Sequence, residues 1–192
     1  MFYNKNGKVN PLVNYIPNSH NINISSGESS SMLKKKPDFI SSFVITRDVI
    51  TSTKEFMVKM GKRHLEGLVF WSGILENDTA FIRRMICPQN ISTSISAHTT
   101  NQGLSYLREI LRENNEFLFM QVHSHPAAAF HSFTDNNEAI SFKKGFISIV
   151  VPYFGENMDN MNTWAIFEYT DSFRWRKLGY KEISKRFILL EK

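Results

Sequence analysis

Three continuous apolar runs constrain this chain most: "LVFWSG" (68–73), "FLFMQV" (117–122) and "GFISIVVPYF" (145–154). A strand with one face in water alternates apolar and polar residues. These runs are apolar at successive positions, so both faces of each strand need cover. A central sheet with helices over it meets that need, and the intervening segments supply the helices. One is predicted to open at Ser52, where Ser52 and Glu55 form a capping box, with Phe56, Met60 and His64 on one face. A second is predicted from Thr99 and Gln102, with Leu104, Leu107 and Leu111 as its apolar stripe. Further strand signals are "FISSFVITRDVI" (39–50), "TAFIRRMIC" (79–87) and a hairpin of "TWAIFEYT" and "SFRWRKL" about Thr170-Asp171. Strands and helices mix without strict alternation, so the expected class is α+β (mixed α/β).

The chain has 192 residues, enough for one domain with a buried core. Residues 1–38 are rich in Asn and Ser and carry "SSGESSS", so a poorly ordered leader is expected there, with the domain proper over 39–192. The one cysteine, Cys87, excludes an intramolecular disulfide and any thiolate-rich metal site, and is expected as a small buried hydrophobe. A reducing cytoplasmic setting fits. Lys and Arg exceed Asp and Glu by 23 − 18 = 5, but apart from "LKKKP" and "RWRK" they are dispersed. With no basic stripe among stacking aromatics, nucleic acid is not the expected partner. The first residues lack the charged start and apolar stretch of a secretory signal, and no apolar run approaches the ~18 residues of a membrane helix, so no membrane partner is expected either.

Directly after the second apolar run comes "MQVHSHPAAAFHSFTD" (120–135). His123 and His125 are two apart at a strand end, and in extended backbone such residues face the same way, so both rings can reach one ion. Pro126 holds His125 extended. Asp135 lies ten residues beyond His125, past a loop long enough to fold back as a third ligand. Two imidazoles and a carboxylate suit zinc and leave a position open, where bound water has its pKa lowered to about 7. Hydrolysis then needs a general base and a donor to the oxyanion. Ser132 is a candidate donor. The base is a carboxylate from elsewhere, which spacing does not identify. The plain alternative is a histidine-rich surface turn. His131 is read as a non-ligand, and His20, His64 and His98 have no ligand spacing.

"HSHPAAAFHSFTD" resembles the JAMM signature (also called MPN+ or JAB) of zinc isopeptidases: H-x-H-P, a short loop, then S-x-x-D. "VITRDVITSTKEFMVKMGKRHLEGLVFWSG" (44–73) resembles the strand, helix and glutamate-bearing turn that open bacterial members, and "GFISIVVPYFG" (145–155) the strand after their catalytic loop. The resemblance covers roughly residues 40 to 190. It implies a JAB/MPN cytidine-deaminase-like sandwich, a central mixed sheet flanked by helices. It implies one zinc ion held by His123, His125 and Asp135, Glu66 in "HLEGLVFW" as acid/base, and Ser132 as oxyanion donor. Glu55 belongs to the predicted cap, and Glu76 and Asp78 to a predicted turn, so they suit the base's role less well. Six residues, Pro126 to His131, separate His125 from Ser132, one fewer than the family's usual seven.

The resemblance further implies cleavage at the C-terminal glycine of a ubiquitin-like protein, from its target or from a precursor tail. Bacterial relatives of this kind occur beside E1-like and E2-like proteins, some in antiphage systems. The alternatives are a metallopeptidase acting on a sulfur-carrier adduct or on a cell-wall or phage-tail peptide, and a non-catalytic scaffold. Segments 135–144 and 152–162 are short where eukaryotic members carry a substrate-gripping insertion, so grip is expected from the 88–101 loop or the leader.

Overall fold

The computed structural model describes residues 40–190 apart from 138 and 173, so the expected leader lies outside the described residues. Among those residues, eight strands form one mixed sheet in the order β10-β1-β3-β2-β6-β7-β8-β9. They are β1 (Ser42–Thr46), β2 (Leu68–Glu76), β3 (Thr79–Ile86), β6 (Phe117–Ser124), β7 (Ile147–Val151), β8 (Ala165–Tyr169), β9 (Trp175–Lys177) and β10 (Phe187–Leu190). A separate hairpin pairs β4 (Asn90–Ser92) with β5 (Ala97–Thr99). The helices are α1 (Arg47–Gly61), α2 (Asn101–Glu113), the short α3 (Phe133–Asn137) and α4 (Tyr180–Arg186). The α+β class is as expected.

The apolar runs do become the covered central strands. Along β2, Val69 and Trp71 face α1 in a core with Val49, Ile50 and Met57, while Leu68 and Phe70 face α2 with Leu107 and Leu111. The indole of Trp71 donates to Thr53 Oγ1 at 2.9 Å, and Thr53 in turn donates to the Val49 carbonyl, which satisfies a buried N–H under the helix. Directly opposed residues on paired strands share a face. Leu68 opposes His123 and Phe70 opposes Gln121, so the histidine face of β6 is the α2 face.

Several local expectations change. The first helix opens at Arg47, five residues before Ser52, because β1 already ends at Thr46 and the buried stripe is Val49, Ile50, Thr53 and Met57. His64 falls outside the helix, exposed and with φ +54. The second helix is capped by Thr100, whose Oγ1 accepts from Gly103 N–H at 3.0 Å, one residue later than expected. Cys87 is exposed rather than buried. The polar 88–101 stretch contains the β4–β5 hairpin. No signal was read for α4 and β10, yet β10 pairs in parallel with β1.

The sheet curls. Arg186, at the end of α4, donates from Nη2 to Glu168 on β8 at 2.8 Å and to the Ile40 carbonyl just before β1 at 2.9 Å. Strands β1 and β8 are five steps apart in the sheet order, so one buried guanidinium joins its two halves.

Candidate metal centre and active site

Two strand pairings assemble the site. β6 runs antiparallel to β2, which sets the residues leading into β2 beside the end of β6. β6 also runs parallel to β7, so both strands end on the same side. Ser124 ties the first junction twice: its N–H donates to the Gly67 carbonyl at 3.0 Å, and its Oγ accepts from Gly67 N–H at 2.9 Å. His125 ties the second, donating to the Val151 carbonyl and accepting from Phe154 N–H, both at 2.9 Å. The chain at the strand end is therefore held on both sides, and His123 and His125 project to one face as their spacing predicts.

Ligand atoms of His123, His125 and Asp135 all lie within 4.8 Å of one another. Asp135 comes from α3, the single turn that folds the loop back. His123 Nε2 is 3.0 Å from Asp135 Oδ1, and His125 Nε2 is 3.5 Å from Oδ2. The histidines are 4% and 6% exposed, so this is an interior cluster. His123 Nε2 is buried without a hydrogen-bond partner, although Asp135 Oδ1 lies 3.0 Å from it. An orphaned buried ring nitrogen beside a second imidazole and a carboxylate leaves a place for a cation. That arrangement, with a nitrogen, nitrogen and oxygen donor set, fits a divalent ion such as zinc. Burial pushes the Asp135 carboxyl upward, but the two imidazoles and the Ser132 N–H outweigh it and hold it far below the usual carboxylate range. It is an anion ready for a cation.

Glu66 is 4% exposed, with Oε1 4.0 Å from His125 Nε2. Its N–H donates to the Thr93 carbonyl at 2.8 Å, so the β4–β5 hairpin turn fixes its backbone. Burial raises its carboxyl to about 7, against the opposing pull of His125 and with a further push from Asp135. The structure thus brings Glu66 to the cluster, and leaves Glu55 and Glu76 exposed on the helix and at a strand end. Ser132 caps α3: its N–H donates to Asp135 Oδ2 at 2.7 Å, and its Oγ accepts from Asp135 N–H at 3.2 Å. As an acceptor in that bond, the hydroxyl keeps its own proton to donate.

His131 is not among the converging atoms. Its two nitrogens face Asn136 and Ser148 instead. Sequence reasoning missed the surroundings of the mouth. Phe130 packs edge-on against His125 at 4.8 Å and is 54% exposed, while Phe133, 84% exposed, lies between Ser132 and Asp135. The hairpin that holds Glu66, within the 88–101 stretch expected to supply grip, exposes Ile91 and Ile95. Two phenylalanines flanking the serine were the available signal.

No protein-family model matches the chain. Over 138 residues it is 25% identical to a Sinorhizobium fredii protein named "Probable metalloprotease y4jG", an alignment spanning 70% of this chain and 85% of that one. Among solved structures it is similar to protein DSY2949 from Desulfitobacterium hafniense, with a TM-score of 0.54 and 15% identity over 78% of this chain and 94% of that one. AF2198 from Archaeoglobus fulgidus, a JAB1/MPN domain protein, matches with a TM-score of 0.44 and 18% identity over 79% of this chain and 99% of that one. The chain is thus similar in sequence to a protein named as a metalloprotease, and similar to DSY2949 in fold.

Proposed function

We infer that this protein is a zinc-dependent peptidase of the JAMM type that acts as an isopeptidase, freeing the C-terminal glycine of a ubiquitin-like protein from an amine or a precursor tail. The observation that carries the reading is the convergence of His123, His125 and Asp135 within 4.8 Å, with Glu66 buried beside them. The likeness to a protein named as a metalloprotease supports the chemistry. The substrate class rests on the resemblance of the loop and of residues 44–73.

His123, His125 and Asp135 would hold the ion, and bound zinc supplies an acidified water and a Lewis acid for the amide carbonyl. Glu66 takes the water's proton at its carboxylate and delivers it to the departing nitrogen. The Ser132 hydroxyl donates to the carbonyl oxygen as negative charge develops there. Phe130 shields His125 from bulk water. Phe130 beside His125, and the exposed Phe133, Ile91 and Ile95 of the same loop and of the hairpin that holds Glu66, offer apolar surface for a polypeptide that small polar substrates would not use. E1-like and E2-like proteins of the same system are the expected partners, in a setting such as antiphage defence.

A substrate trap tests the reading. Glu66→Ala is expressed beside wild type in the native host, and lysine side chains are searched by mass spectrometry for glycine-ended protein tails. Conjugates that accumulate with the variant support deconjugation and identify the modifier. Equal spectra with the conjugation system demonstrably active would overturn the ubiquitin-like substrate and leave the second reading, a peptide or sulfur-carrier adduct.

A further inference from the structure

His131 has no part in the chemistry above, yet it is the most fully engaged side chain of the loop. Its ring lies flat on Phe167, with centroids 4.0 Å apart and planes at 12°, and Trp175 meets it edge-on at 5.1 Å. Nδ1 is 3.0 Å from Asn136 Oδ1 and Nε2 is 2.9 Å from Ser148 Oγ. An amide oxygen only accepts, so Nδ1 carries the proton and Nε2 accepts from the serine hydroxyl. Ser148 Oγ accepts in turn from Gln121 Nε2 at 3.2 Å, and Gln121 Oε1 accepts from Ile140 N–H at 3.1 Å. Each link has one donor and one acceptor, and the neutral tautomer of His131 is the one that satisfies them all. Burial, partly offset by the Asn136 bond, lowers the imidazole to about 4 and keeps it neutral.

The chain of bonds joins two elements that the metal reading needs in register. Asn136 follows Asp135 on α3. Gln121 precedes His123 by two residues on β6, on the same face, and Ser148 opposes Gln121 on β7. Without this link, α3 has few ties to the sheet: it is a single turn with no buried residue. The imidazole itself stands back from the cluster, 6.4 Å from the His123 ring between centroids.

We propose that His131 is a positioning residue, which through Asn136 on one side and Ser148 and Gln121 on the other holds the Asp135 turn against the His123 strand so that the ligand atoms are set before an ion arrives. The proposal rests on the metal reading of the site. Groups that bond a ligand directly weaken metal binding by about 10- to 100-fold when lost, and His131 acts one residue further out, so the lower end of that range is expected.

The test compares the full chain and its variants by Co2+ titration against a competing chelator, reading the visible absorption band, with the melting of the metal-free forms alongside. His131→Phe keeps a ring to stack on Phe167 and removes both hydrogen bonds. It is expected to lose about tenfold in Co2+ affinity and to shift the band, while the metal-free protein melts close to wild type. Ser148→Ala cuts the link on the sheet side; it is expected to weaken Co2+ binding in the wild-type background and to add nothing to His131→Phe. Wild-type affinity and an unmoved band in His131→Phe would overturn the proposal, as would equal losses from Ser148→Ala in both backgrounds. If His131→Phe does not fold, Ser148→Ala decides: unchanged affinity overturns it. Wild type that takes up no Co2+ overturns the metal reading and this proposal together, whereas wild type and His131→Phe binding equally overturns the proposal alone.

Discussion

Glu66 is buried and Asp135 half-buried beside the same histidine, but their surroundings drive them apart. Asp135 is held as an anion by two imidazoles and a backbone N–H, whereas burial dominates Glu66 and raises it. On the proposed reading, two carboxyl groups separated in this way divide into a ligand and a proton carrier. Glu66→Gln is therefore expected to keep the ion and to lower kcat by about 10²- to 10⁴-fold, as read by metal content and single-turnover hydrolysis on one preparation. Glu66→Gln cleaving at the wild-type rate would remove it from the role. Ser132→Ala is expected to retain the ion and lose about 10²- to 10³-fold in kcat. Because Ser132 also caps α3, Ser132→Thr, which keeps the hydroxyl at that position, is the control. Equal losses in both variants would assign the serine a structural role instead. The convergence of His123, His125 and Asp135 was legible in the sequence because one short loop carries all three, with Ser132 beside them. The place of Glu66 beside them was not: the β2–β6 pairing brings it there, which local spacing does not encode, and only the resemblance singled it out.

At the scale of elements, glycines mark where strands and helices come too close for a side chain. A Cβ on Gly73 would lie 1.8 Å from the Phe81 carbonyl oxygen, at the point where the β2–β3 register shifts. Backbone has nowhere to go there, so Gly73→Ala is expected to destabilise the fold by about 3 kcal/mol or more, measured as a fall in denaturant midpoint at constant slope. A variant as stable as wild type would mean that the two strands separate without cost. A Cβ on Gly67 would meet Met57 Sδ at 2.4 Å and Phe56 Cε1 at 3.1 Å, between α1 and the residue that follows Glu66. Gly67→Ala is accordingly expected to cost about 1–3 kcal/mol and to displace Glu66. The covered strands were readable because continuous apolar runs leave few alternatives. The start of α1 was not, because "VITRDVI" suits strand and helix alike and Ser52 with Glu55 imitates a cap within the helix. The β4–β5 hairpin is held by backbone bonds through polar residues, so hydropathy does not reveal it.

The molecule as a whole is a curled mixed sheet whose halves are joined far from the site by α4, β10 and Arg186. β10 escaped the sequence reading because "FILL" is four residues long and its partner, β1, is distant in the chain. Arg186 lies over the Phe43 ring at 5.5 Å and bonds Glu168 and the Ile40 carbonyl, so Arg186→Met leaves buried acceptors behind. It is expected to destabilise the protein by on the order of 3 kcal/mol, less than full loss of a buried pair would suggest, because Arg176 also holds Glu168 at 2.9 Å. The folded fraction should still bind metal with wild-type affinity, since Glu168, Phe43 and the Ile40 carbonyl, which Arg186 contacts, are not among the converging residues. The central claim is that His123, His125 and Asp135 form a metal centre on which hydrolysis depends. The most direct measurement is the metal content of purified wild type and Asp135→Ala, set beside their cleavage of a ubiquitin-like substrate with and without chelator. The wild type is expected to carry one equivalent of zinc and the variant little, with activity that disappears with the metal and returns on its readdition. Full cleavage by a metal-free wild type, or a full equivalent retained by Asp135→Ala, would contradict it.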